Sequence, residues 1–126
     1  MRNFQTLKNK KNTIVISLGD PAGIGTEITL KALSSKDLDK NINPLLVGCK
    51  NNIYDTYLNL LKNGFKHIPN PEHIDIFNVP LEKKIIPGIV NKYSGEASFK
   101  CLSKATKIVL EENARALVTA PISKIA

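Results

Sequence analysis

Three stretches of the chain run apolar without alternation. Residues 13–18 (TIVISL), 44–48 (PLLVG) and 116–119 (ALVT) are rich in β-branched side chains and carry no regular polar positions. Strands covered on both faces read this way. Residues 74–77 (IDIF) add a shorter candidate strand. Between these runs the apolar spacing changes to three and four. Residues 26–33 predict a helix with Ile28, Ala32 and Leu33 on one side. Asn51 is placed to cap a second helix, on which Ile53, Tyr54, Tyr57, Leu58 and Leu61 recur at helical spacing. Gly64 fits the position just past its end. Ser94 is placed to cap a long third helix, 95–112, whose Ala97, Cys101, Ala105 and Ile108 form one stripe, joined by Leu102 and Val109. Residues 68–93 are broken by Pro69, Pro71, Pro80 and Pro87 and predict an extended, loop-rich excursion around the short strand.

The order β–α–β–α–irregular–α–β, with non-alternating strands, predicts an α/β fold with a mostly parallel sheet. There are no repeats, low-complexity segments or linkers in the 126 residues, so they form part of one domain. Residues 1–12 are expected to be a flexible tail and 13–126 the folded part. The last residues are unusual. Ser123 is placed to open a helix, and the chain stops three residues later at Ala126. The expectation is a truncated reading frame or one piece of a longer enzyme, incomplete at its carboxyl end. Such a piece leaves a sheet face and a strand edge uncovered and is expected to aggregate or unfold.

Composition narrows the function classes. The chain is 42% hydrophobic and 23% charged, ordinary for a soluble globular protein. No apolar run has the length of a membrane span. The first residues carry Arg2, Lys8, Lys10 and Lys11 without a following apolar stretch, so they are not a secretory leader, and the cytoplasm is the default location. A net charge of +7 suits nucleic acid, anionic lipid or a phosphorylated substrate. The lysines are scattered, however, and three tyrosines and four phenylalanines make no stacking platform, which argues against nucleic acid. Cys49 and Cys101 form neither a disulfide framework nor a metal knuckle and are expected to be reduced. His67 and His73 stand six apart in a loop-rich connection, a spacing that fits no zinc site.

In an open parallel sheet, ligands bind beyond the carboxyl ends of the strands. Two loops leave such ends. The first carries Gly19, Asp20, Gly23 and Gly25 ahead of a helix start. Glycines let the backbone bend and let a ligand approach, and the free amides of a helix start favour an anion. Neither phosphate fingerprint matches. Ile28 stands where the third glycine of G-x-G-x-x-G belongs, and no Lys-Ser/Thr follows the last glycine. A structural turn and a ligand loop fit this spacing equally. The second loop carries Thr119 and Lys124, which suit a phosphate, although an N-capping Ser123 beside a solvated lysine fits as well.

The three segments together are more specific. ISLGDPAGIGTEI (16–28), YSGEASFKCLSKA (93–105) and ALVTAPISK (116–124) resemble, in this order and at similar separations, motifs of the 4-hydroxythreonine-4-phosphate dehydrogenases of vitamin B6 synthesis. The resemblance covers 13–126 and is weak over 50–90. Related decarboxylating dehydrogenases open with Gly-Asp-x-Ile-Gly-Pro-Glu, and this chain has Thr26 where proline is usual. The resemblance implies a three-layer α/β/α fold like that of isocitrate and isopropylmalate dehydrogenases, and a homodimer in the complete enzyme. It implies NAD- or NADP-dependent oxidation of a phosphorylated hydroxy acid followed by decarboxylation, with a divalent metal polarising the reacting oxygen. The metal-binding histidines and the substrate-binding residues of the family lie downstream of Ala126. The expectation for this chain is therefore no catalytic residue and no metal ligand, with Gly19, Asp20, Gly23, Gly25, Thr119 and Lys124 lining the cleft or touching the cofactor. A relative acting on a threonate or erythronate phosphate fits the same motifs, and so does a non-enzymatic remnant. A phosphate acyltransferase of the same superfold is disfavoured by the GDPAGIG opening.

Overall fold

The computed structural model describes residues 12–21, 24–81 and 92–120. Residues 1–11 of the expected tail, Pro87 and Ser123 lie outside the described residues. Four strands form one sheet: β1 (Thr13–Ser17), β2 (Asn43–Gly48), β3 (Asp75–Asn78) and β4 (Ala116–Thr119). All neighbours are parallel, in the order β3-β2-β1-β4. Helices α1 (Gly25–Leu33) and α2 (Lys50–Lys62) make the first two crossovers, and α3 (Lys92–Glu112) makes the return across β1. The parallel α/β reading of the sequence holds. Among the described residues no helix is long and apolar enough to cross a membrane.

Alternation along the strands divides the interior into two layers. Val15, Leu45 and Val47 face α3 and pack with Cys101, Ala105 and Ile108. Leu18, Leu46 and Ile76 face the other way and pack with Leu30, Ile53 and Leu60 of α1 and α2. The register explains the layering: Val15 lies opposite Leu45 and Leu117, and Ile16 opposite Leu46 and Val118. Helices therefore cover both faces of the sheet, which is the three-layer arrangement.

Several local expectations need correction. On α1 the buried residues are Gly25, Thr26, Thr29 and Leu30, whereas Ile28 is 43% exposed and Ala32 is exposed. The threonines tolerate burial because their hydroxyls are satisfied: Thr29 donates to the Gly25 carbonyl (2.8 Å) and Thr26 to Asn52 Oδ1 (3.0 Å). On α2 the inward stripe is Ile53, Tyr57 and Leu60, while Leu58 and Leu61 face solvent. Asn51 does not cap that helix, which begins at Lys50. The Lys50 amide instead donates to Asn78 Oδ1 at 2.9 Å, a cap supplied from the end of β3. Helix α3 begins at Lys92, ahead of the cap expected at Ser94. The sequence reads β4 as a buried strand, but among the described residues it lies at the edge of the sheet with Val118 47% exposed, because β1 is its only described partner and α3 covers one of its faces. Gly64 does end α2, at φ +93°, with Phe65 N–H donating to Leu60 O and Gly64 N–H to Leu61 O.

Candidate functional site

Strands β2 and β3 extend the sheet to one side of β1, and β4 lies on the other side. The winding direction therefore reverses between β1 and β4. In open α/β sheets this reversal opens a crevice at the carboxyl ends of the two strands, because the following segments leave in opposite directions. The loops after β1 and β4 are the two that the sequence marked for chemistry, and their described parts lie on this one edge.

The geometry of that edge is tight. Ala120 N–H continues the β1–β4 ladder by donating to Ser17 O at 2.8 Å. Leu18 N–H likewise donates to Val47 O at 3.1 Å. The chain then turns through Gly19 at φ +77°, where an L side chain would be strained. Asp20 follows and is 3% exposed. A carboxyl group this deep is a positioned group, since burial without compensating contacts is costly. Helix α1 starts immediately beside the strand. A Cβ at Gly25 would overlap the Leu18 carbonyl oxygen and would lie 3.0 Å from the Ala120 Cβ. Gly25 thus brings the α1 start, the β1 end and the β4 exit into direct contact. Among the described residues no side chain caps the first turn of α1. The partial positive charge of the helix start lies at the carboxyl edge, where an anion is favoured.

Of the six residues singled out in the sequence, Gly19, Asp20, Gly25 and Thr119 are placed at this edge, with Thr119 exposed at the end of β4 and in register with Ser17. Gly23 and Lys124 lie outside the described residues. Two buried hydroxyls were not singled out in the sequence. Ser17 ends β1 fully buried, and Ser98 on α3 is 2% exposed; neither Oγ has a hydrogen-bond partner among the described residues. Each buried, unsatisfied hydroxyl costs about 1–3 kcal/mol. Serines inside an apolar stripe carry no sequence signal of this kind. Cys101, one turn beyond Ser98, is no nucleophile: burial first, and the nearby Cys49 second, push its thiol up to about 11. Both cysteines are free.

The described residues do not make a metal centre, since no group of three or more His, Cys, Asp or Glu among them is placed to hold an ion. His67 and His73 are exposed between the end of α2 and the start of β3, at the opposite, amino-terminal edge. An anionic portion of a substrate or of a dinucleotide suits the carboxyl edge better, given Gly19 and the uncapped start of α1.

Known proteins share this fold. The family model for pyridoxal phosphate biosynthetic protein PdxA matches residues 29–126. Over 113 residues the sequence is 44% identical to a 4-hydroxythreonine-4-phosphate dehydrogenase of Synechococcus sp. (strain RCC307), covering 90% of this chain and 34% of that protein. It is 32% identical over 122 residues to a D-threonate 4-phosphate dehydrogenase of Pectobacterium atrosepticum, covering 88% and 37% respectively. The solved 4-hydroxythreonine-4-phosphate dehydrogenase of Klebsiella pneumoniae has the same fold over 90% of this chain and 38% of its own, with a TM-score of 0.71 at 29% identity. That of Burkholderia phymatum agrees in fold, with a TM-score of 0.74 at 23% identity, over 93% of this chain and 38% of its own. The chain spans about a third of the length of the curated relatives it matches.

Proposed function

The chain belongs to the family of pyridoxal phosphate biosynthetic protein PdxA, and we propose that it supplies the amino-terminal part of a dehydrogenase acting on 4-hydroxythreonine 4-phosphate in pyridoxal phosphate synthesis. The carrying observation is the meeting of the β1 and β4 exits at the point where the sheet reverses, with Gly25 against Leu18 and Ala120. In this reading the chain forms one wall of the cleft. Gly19 and the α1 start receive a phosphate or carboxylate group of substrate or nicotinamide, Asp20 and Gly23 shape the turn, and Thr119 and Lys124 close on the same anion. The nicotinamide, NAD or NADP, accepts a hydride when bound. The divalent metal of the family reading is assigned to residues outside this chain, and in this reading the chain's part is to bind the substrate or the cofactor. A homodimer in the complete enzyme and a cytoplasmic location belong to the same proposal.

Hydride transfer needs donor and acceptor in near-attack geometry and a group to stabilise charge on the reacting oxygen. The proposed reading therefore has the isolated 126-residue chain inactive. The test is nicotinamide absorbance with purified chain, divalent metal and substrate, alone and co-produced with the carboxyl-terminal portion of a relative. Turnover by the isolated chain that survives Asp20→Asn and Lys124→Ala would misplace the site. A second substrate, D-threonate 4-phosphate, is supported by the relative from Pectobacterium atrosepticum. It becomes the better reading if the complemented enzyme prefers it in kcat/KM.

A further inference from the structure

The start of α1 is tied to its neighbours by side chains. Thr26, 6% exposed, donates its hydroxyl to Asn52 Oδ1 at 3.0 Å. Asn52 lies in the first turn of α2, and the first amide of that helix, Lys50 N–H, donates to Asn78 Oδ1 at 2.9 Å. Asn78 ends β3. Hydrogen bonds thus join the end of β3 to the start of α2, and the start of α2 to the start of α1. From there backbone contact takes over. Gly25, beside Thr26, stands against the Leu18 carbonyl and Ala120, and its own carbonyl accepts the Thr29 hydroxyl at 2.8 Å. The run crosses the carboxyl edge from β3 to the exits of β1 and β4. Burial alone does not call for it, because Leu30, Ile53 and Leu60 already pack both helices on the sheet. An apolar pair of the same shape would stabilise about as well, so what the Thr26–Asn52 bond adds is direction. The proline usual at this position in related decarboxylating dehydrogenases has no hydroxyl to make it.

We propose that Thr26, Asn52 and Asn78 are positioning residues of the cleft, fixing where the start of α1 stands against the exits of β1 and β4. The inference rests on the reading that this edge receives the substrate or the nicotinamide, and it names the residues that hold the receiving helix in place. They act on the cleft through Gly25.

Amide hydrogen exchange on the full 126-residue chain tests the placement without any reaction. Thr26→Val removes the hydroxyl and keeps the shape. It should speed exchange roughly fivefold at Ile28 and Ala120, whose amides donate to Ile24 O at 2.9 Å and Ser17 O at 2.8 Å. The Phe65 amide, which donates to Leu60 O at the amino-terminal edge, should keep its parent rate. Asn52→Ala should match Thr26→Val, and the two combined should add nothing further, because one bond is lost in each. Thr26→Ser should behave as the parent. Asn78→Ala should reach Ile28 as well as Lys50. Acceleration at Phe65 equal to that at Ala120 overturns the proposal, since the bond then adds only global stability. So does an effect confined to Ile28, or an Asn78→Ala effect that stops at Lys50. In the complemented enzyme, Thr26→Val should raise KM for substrate or nicotinamide roughly fivefold with kcat within about twofold of the parent, and Thr26→Ser should restore it. A fall in kcat with KM unchanged overturns the proposal. A complemented enzyme without turnover sinks the proposed reaction, and the exchange pattern then decides the positioning by itself.

Discussion

Gly25→Ala separates a packing glycine from a ligand-approach glycine. The added Cβ overlaps the Leu18 carbonyl oxygen, a backbone atom, and comes within 3.0 Å of the Ala120 Cβ. Leu18 cannot yield easily. Its amide is bonded to Val47 O at 3.1 Å, and its side chain already sits so close to Gly48 that a Cβ there would lie 2.6 Å from Leu18 Cδ1. Helix α1 cannot retreat easily either, with Leu30 fully buried and Thr26 bonded to Asn52. Overpacking of a tight interior costs about 1–3 kcal/mol, and a clash with backbone belongs at the upper end. The helix preference for alanine over glycine returns at most about 1 kcal/mol. The expected net loss is about 2 kcal/mol, or roughly 8 °C in melting temperature for a chain of this size. Thermal and urea unfolding followed by circular dichroism measure it. A variant that melts within about 2 °C of the parent would refute the reasoning, because the α1 start would then have room and the glycine would be reserved for a ligand.

Gly64→Ala should cost about 1 kcal/mol through backbone strain alone, since φ is +93° and nothing lies within 4 Å of a Cβ there; Gly64→Asn should recover part of the loss in the same urea assay. Asn78→Ala should cost about 1 kcal/mol and speed hydrogen exchange at the Lys50 amide, which it leaves uncapped. The Cys101 thiol is raised from its ordinary value near 9 to about 11, so the folded protein keeps a proton that the unfolded chain releases. Its contribution is full below about pH 9 and is lost as pH rises towards 11, by at most roughly 2–3 kcal/mol. Urea midpoints measured across that range should therefore fall more steeply for the parent than for Cys101→Ala, and equal slopes would remove the effect.

The strands were legible because central parallel strands must be apolar on both faces, and β1 and β2 have no room for alternation. The inner stripe of α3 was legible for the matching reason, at helical period. The face of α1 was not. Thr26 and Thr29 look like solvent residues until Asn52 and the Gly25 carbonyl are in place to receive their hydroxyls. Nor was the cap of α2, because its acceptor, Asn78, arrives from a strand much later in the chain. The edge position of β4 was hidden too. A strand's own composition suits the whole family fold, while its exposure depends on which neighbours are present.

The first loop of the proposed site is marked in the sequence, and the structure gives a reason why it does not match the fingerprint. In the dinucleotide motif the third glycine serves to let the helix pack closely on the strand. Here the same service falls to Gly25, at the first residue of α1, and Ile28 stands where the motif expects the third glycine. Ile28 is 43% exposed and turned away from the strand, so no glycine is needed there. Close approach is thus achieved one turn earlier in the helix than the motif places it. The spacing differs while the physical requirement is the same, namely a helix start held against a strand end. A pattern search reads the spacing and rejects the loop. The contact between Gly25, Leu18 and Ala120 reads the requirement and keeps it.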